Sequence, residues 1–162
     1  MLNKDSERLI NEHIATIMAF VCSRKRLTAL VGSSPAIDWG YLRPVCFEIA
    51  ERHADRALLE LGLYLRIADD SVDKFLSTYQ SKQGTSFGEL VGRDGSRKPL
   101  VFRDVSNKII HATGYRWEEL ADTGRPVVTC LAGKPQDTRD NWAEASIDLL
   151  SVFHAGSFLW LL

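Results

Sequence analysis

Residues 137–162 read DTRDNWAEASIDLLSVFHAGSFLWLL, and the fold class turns on how they are taken. At helical spacing Trp142, Ala145, Leu149, Val152, Gly156 and Leu159 fall into one stripe, with Leu150, Phe153 and Leu161 in another. The segment therefore reads as a last helix, from about Asp137 to the end, apolar on two sides. Such a helix is either central in a core or shared with a second copy of the chain.

The same period recurs upstream. Ile10, Ile14, Ile17 and Val21 repeat at 4-3-4 spacing, and Asp5 and Glu7 suit a helix N-terminus, so a first helix is expected from about Lys4 to Val31. Gly32-Ser33-Ser34-Pro35 ends it. A second tract opens at Pro44 and extends to about Tyr79, with Leu58, Leu61, Leu65, Val72 and Phe75 as its stripe and Leu59, Leu63 and Ile67 beside it. Unbroken it would be about 50 Å long, so a break is expected at Gly62 or at Asp69-Asp70.

Residues 82–98, with four glycines, read as a loop in which Ser86 and Glu89 cap a single turn. Pro99 opens a short helix through Ala112, closed by Gly114. Tyr115–Leu120 and Val127–Leu131 have strand character around a turn at 122–126, giving a hairpin over about 115–131. The expected fold class is mainly α, a helical bundle of four to five helices with one inserted two-stranded β-hairpin. Residues 1–162 are expected to form a single domain.

Bulk properties narrow the function classes. A chain of 162 residues buries roughly 70% of its extended surface and holds a core without staples. A formal charge of −1 excludes a globally basic protein, so any nucleic-acid footprint must be a local patch. Cys22, Cys46 and Cys130 are odd in number and share no metal or redox spacing, which reads as buried thiols in a reducing compartment. The early apolar run Ile14–Cys22 has acids before it and Arg24-Lys25-Arg26 after it, the reverse of a signal peptide. Leu149–Leu162 is too short to span a bilayer. No membrane association is expected, and the expected location is cytoplasmic.

One constellation stands out. Arg103, Asn107 and His111 lie at i, i+4 and i+8 of the Pro99–Ala112 helix, and each step of four drifts only about 40° around the axis. They project along one side, opposite Phe102, Val105, Ile109 and Ile110. Arginine grips phosphate through two N–H groups, imidazole moves a proton near neutral pH, and Asn orients either. That set suits RNA cleavage without a metal: the 2′-hydroxyl attacks, His111 moves a proton, and Arg103 stabilises the charged phosphorane. The alternative is structural: Asn107 and His111 bond to hairpin carbonyls while Arg103 pairs with a carboxylate.

The string Arg103-Asp-Val-Ser-Asn107-Lys-Ile-Ile-His111-Ala112 resembles a pattern in small uncharacterised bacterial helical proteins. It is also similar, over those ten residues, to HEPN domains, in which an Arg followed by a polar residue precedes a His on one helix. The resemblance implies a helical bundle that dimerises and, in many members, acts as a metal-independent ribonuclease. Near this helix Arg93, Arg97, Lys98 and Lys108 make a locally basic stretch, the expected nucleic-acid-binding residues. Tyr115 and Trp117 follow and suit either stacking on unpaired bases or the core, with the core favoured for Trp117.

Asp69-Asp70-Ser71-Val72-Asp73 matches the DDxxD pattern of magnesium-dependent prenyl-diphosphate and terpene synthases, and Glu48-x-x-Glu51 upstream resembles helical pyrophosphohydrolases. No second DDxxD exists, and the acids also read as helix caps, with Asp70 starting a new helix. His13, His53 and His154 lack partners at metal-binding spacing. No metal and no cofactor are expected. The expected function is an HEPN-like RNA-binding or RNA-cleaving protein. The alternatives are a non-catalytic dimeric interaction module and a magnesium-dependent helical pyrophosphohydrolase. The expected partners are a second copy of the chain, forming a homodimer, and RNA.

Overall fold

Ala145 lies opposite Leu90 on one side and Cys130 on the other, so Trp142–Asp148 is the central strand of a sheet and not the start of a helix. The computed structural model describes residues 4–33, 40, 43–71, 86–134 and 141–157. In chain order these form α1 (Lys4–Ser33), a π-helical turn (Pro44–Ile49) and α2 (Ala50–Ser71). Then come β1 (Gly88–Gly92), β2 (Arg97–Pro99), α3 (Phe102–His111), β3 (Gly114–Glu119), β4 (Pro126–Leu131), β5 (Trp142–Asp148) and α4 (Leu149–Ser157). The strands make one antiparallel sheet in the order β2-β1-β5-β4-β3.

This corrects the expected helical bundle with a single two-stranded hairpin. The chain is a mixed α/β fold, with five strands interleaved among four helices in the described residues. The cause lies in residues 142–149. Trp142, Ala145 and Leu149 fit a helical stripe, but Ala145, Ile147 and Leu149 alternate and all three are fully buried. Strands on both sides supply ladder hydrogen bonds to β5, and that tertiary pairing overrides the local period. The switch to helix is set by Asp148. Its Oδ1 accepts from the backbone N–H of Leu150 at 3.1 Å and of Ser151 at 3.4 Å, an N-cap for α4. Arg125 from the β3–β4 turn pairs with the other carboxylate oxygen at 2.6 Å.

The expected loop at 82–98 is likewise corrected where it is described. Residues 88–99 form a hairpin around Asp94-Gly95, with Gly95 at φ +81° and Asp94 accepting the Ser96 N–H at 3.0 Å. The capped turn at Ser86 does not form; its hydroxyl donates to the Gly88 carbonyl at 2.8 Å. Gly88 is required by position, because a Cβ there would lie 1.9 Å from the Ser146 carbonyl oxygen and φ is +135°. Pro99 ends β2, and α3 starts only at Phe102. The second hairpin, β3–β4, stands within a residue of its sequence reading.

The expected break at Gly62 or Asp69-Asp70 is absent, and α2 runs unbroken to Ser71. Gly62 serves close packing instead: a Cβ would lie 2.7 Å from Ile109 Cγ2, so α3 crosses α2 with little between the backbones. Residues 72–79, the rest of that expected tract, and 82–85 of the expected loop lie outside the described residues, as do 137–140 and 158–162 of the expected last helix.

The core lies on one face of the sheet. Leu90, Trp117, Val128, Cys130, Ala145 and Ile147 meet Leu58, Leu61 and Leu65 of α2, Ile10, Ile17 and Phe20 of α1, and Val152 and Phe153 of α4. Phe20 packs edge-on to Trp117 and Phe87 edge-on to Phe102, with ring centres 5.2 and 5.4 Å apart. Most residues that alternate with these are polar, Val91, Val127 and Leu131 excepted: Thr129 bonds Glu118 and Ser146, and Arg116 pairs with Glu118 and Glu144. Arg24 of α1 donates to the outer carbonyl of Trp117 at 3.1 Å, which blunts the β3 edge. Among the described residues no helix is long and apolar enough to cross a membrane.

Candidate functional site

Helix α3 buries Phe102, Val105, Ser106 and Ile109, which turns Arg103, Asn107 and His111 to the opposite side as the spacing predicts. Because Ile109 seats on Gly62, that polar side lies against the last turns of α2. Arg103 Nη1 is 3.3 Å from Oδ2 of Asp69, which is 1% exposed, and the same nitrogen pairs with Asp70. Arg66 holds the second oxygen of Asp70 at 3.2 Å and donates to the Asn107 side-chain oxygen. The hydrogen bond from Arg103, helped by Arg66, holds the Asp70 carboxyl below the usual range, and the Arg103 guanidinium is raised in return.

The four ionic groups, Arg66, Arg103, Asp69 and Asp70, cancel in charge. Arg103 thus pairs with carboxylates, as the structural alternative expects, while Asn107 binds a side chain and not a hairpin carbonyl. His111 is exposed at the last position of α3, two turns and about 12 Å along the axis from Arg103. Asp69 and Asp70 sit inside the C-terminal turn of α2, so Asp70 does not cap a new helix there; Asp73 lies outside the described residues. Among the described residues no three of His, Cys, Asp and Glu gather as a metal site.

The basic candidates divide into two pairs. Arg97 is paired with Glu89 at 2.7 Å, and Arg93 donates to the Gly133 carbonyl at 2.6 Å. Lys98 and Lys108 both line, from β2 and α3, a hollow of about 360 Å³. Ser96, Asn141, Gly92, Leu90 and Trp142 complete its lining. Lys108 Nζ stands 4.8 Å from the centre of the buried Trp142 ring, a cation–π contact that fixes its ammonium at the hollow. Asp94, in the turn beside it, is held below the usual range by the Ser96 hydroxyl and N–H. Trp142 and Asn141 were invisible as site residues in the sequence, because the helical reading placed Trp142 on a core stripe.

Two larger hollows, of about 540 and 520 Å³, lie along α1 and share Arg24. Two of their basic groups are engaged: Arg24 with Trp117 and Glu51, and Lys25 with Glu119 at 2.9 Å; Arg43 also lines the larger one. Beside them is a half-buried polar cluster. Trp117 Nε1 donates to Asp55 Oδ1 at 2.8 Å, and the Tyr115 hydroxyl donates to the Ile109 carbonyl at 2.8 Å. Burial raises the Asp55 carboxyl against the pull of the Trp117 bond, lifts the Tyr115 phenol, and pushes the Cys130 thiol up to about 12. Trp117 is therefore core, and Tyr115 anchors α3. Of the expected buried thiols only Cys130 is buried; Cys22 is exposed and Cys46 partly so.

No family model matches the chain, and no match was found among curated proteins or solved structures.

Proposed function

We propose that the protein binds single-stranded RNA through the Lys98–Lys108–Trp142 hollow and does not cleave it. The observation that carries this reading is the lining of one hollow by two lysines from separate elements, with Lys108 held against an indole. Ammonium groups at such a place neutralise phosphates, while Asn141 offers a hydrogen-bonding side chain of neutral charge. The neutral balance around Arg103 supports binding over cleavage, because a guanidinium facing two carboxylates has no net field for a phosphorane.

The test is fluorescence anisotropy with a labelled single-stranded RNA of mixed sequence, titrated at several salt concentrations. Each phosphate contact on a single strand contributes about 0.7 to the slope of log K against log salt. Lys98→Ala with Lys108→Ala is expected to weaken binding and reduce that slope by about 1.4. RNA binding unchanged in the double variant, or absent from wild type at low salt, overturns the reading.

Self-association is a second reading, and one observation favours it. Helix α2 turns Leu59, Leu63 and Ile67 to solvent at 37, 44 and 52% exposure, although its other side is in the core.

A further inference from the structure

Resting on that self-association, we infer that two copies of this chain meet antiparallel along the outer face of α2, about a twofold axis at Leu63. Leu59, Leu63 and Ile67 stand at i, i+4 and i+8, forming a line about 12 Å long. They lie diametrically opposite Ala54, Leu58, Leu61 and Leu65, which seat α2 in the core, so the core of the described residues makes no use of them. Isolated apolar residues on a surface are ordinary; three in a row on one helix face form a seam suited to a partner helix.

The charges at the ends of the seam select the partner and its direction. Arg56, with its side chain 81% exposed, flanks the line at the N-terminal end. Asp70, 54% exposed, flanks it at the C-terminal end. A twofold axis through Leu63 sets each position n against position 126 − n of the other copy. Leu63 then meets Leu63, Leu59 meets Ile67, and Arg56 meets Asp70, the last two twice by symmetry. A parallel pair would instead set Arg56 beside Arg56 and Asp70 beside Asp70, which like-charge repulsion disfavours. Asp70 already holds Arg66 and Arg103, and Arg56 holds Glu60, so the end charges steer direction while the apolar line supplies the contact.

Sedimentation equilibrium on the full chain at micromolar concentration tests association, and Leu63→Glu tests the face. A dimer is expected in wild type, with the dissociation constant raised at least about tenfold by Leu63→Glu. Direction is read from cysteine crosslinking in a Cys22→Ser, Cys46→Ser background, which removes the exposed and partly exposed native thiols. Leu63→Cys is expected to crosslink to itself. Leu59→Cys is expected not to, but to crosslink when mixed with Ile67→Cys. A wild type that is monomeric throughout overturns self-association itself. A dimer indifferent to Leu63→Glu overturns the α2 face alone, and self-crosslinking of Leu59→Cys overturns the antiparallel direction. Circular dichroism of each variant, matched to wild type, separates these outcomes from misfolding.

Discussion

Arg103 reaches from the first turn of α3 to Asp69 in the last turns of α2, placing a guanidinium 3.3 Å from a carboxylate that is 1% exposed. The contact fixes one end of the α2–α3 crossing, and Gly62 against Ile109 fixes the next turns. Removing the cation from a buried carboxylate costs more than removing both charges. Arg103→Leu is therefore expected to lower the melting temperature by several degrees, and Arg103→Leu with Asp69→Asn to recover much of that loss. A double-mutant cycle by thermal denaturation measures the coupling. An Arg103→Leu protein as stable as wild type would show that this arginine is held for something other than the fold.

The fold was legible where one period dominates. Ile10 and Ile17 in α1 and Leu58, Leu61 and Leu65 in α2 lie on the stripes that helical spacing selects and are buried, while Ile14 and Val21 of the α1 stripe are half-buried against the core. It was not legible where two periods coincide, as in Trp142–Asp148, whose strand signature rests on Ile147 between Ala145 and Leu149. Asp94-Gly95 is a strong hairpin signal on its own, but the flanking strands are three to five residues long and rich in glycine and charge. The shared face of Arg103, Asn107 and His111 could be read from spacing alone. That Asp69, Asp70 and Arg66 would answer it depends on how α2 crosses α3, which no local pattern contains.

Gly88 tests the sheet directly. A Cβ there would lie 1.9 Å from the Ser146 carbonyl oxygen at a backbone angle of φ +135°, whereas one at Gly114 would lie 3.9 Å from Leu131. Gly88→Ala is expected to destabilise by well over about 1 kcal/mol, the usual scale of a glycine replaced at an incompatible angle. Gly114→Ala should cost much less. Urea denaturation of the two variants measures both, and equal stabilities would mean that β1 does not pair with β5 in this register.

Asp55 gives the stability a pH dependence of known sign. Burial raises its carboxyl in the folded chain above the unfolded value of 3.8, with Glu51 adding to the shift and the Trp117 bond opposing it. The folded state therefore keeps the proton longer than the unfolded one. The resulting stability is present in full below the unfolded value and is lost as pH rises through the folded value. Asp55→Asn keeps an oxygen acceptor for Trp117 Nε1 and carries no charge. It is expected to melt above wild type at about pH 7, with the gap closing toward about pH 4. Melting curves across that range check it, and a gap that widens on acidification contradicts the sign.

His111 distinguishes binding from cleavage. A proton-transfer residue needs a cation near the same phosphate, but Arg103 is about 12 Å away along the helix and faces Asp69 and Asp70. His111 itself is exposed and packs into no part of the described core, so its removal has little effect on folding. His111→Ala is accordingly expected to match wild type in melting temperature and to bind RNA within about threefold of it, a change too small for a phosphate-gripping group. Both proteins should leave RNA intact in the presence of a chelator. Cleavage by wild type without metal, falling by about 10²-fold or more in a His111→Ala protein of unchanged stability, would reverse the assignment. The acting cation would then be sought at Lys108, one turn before His111 on α3, because the Arg103 charge is already balanced.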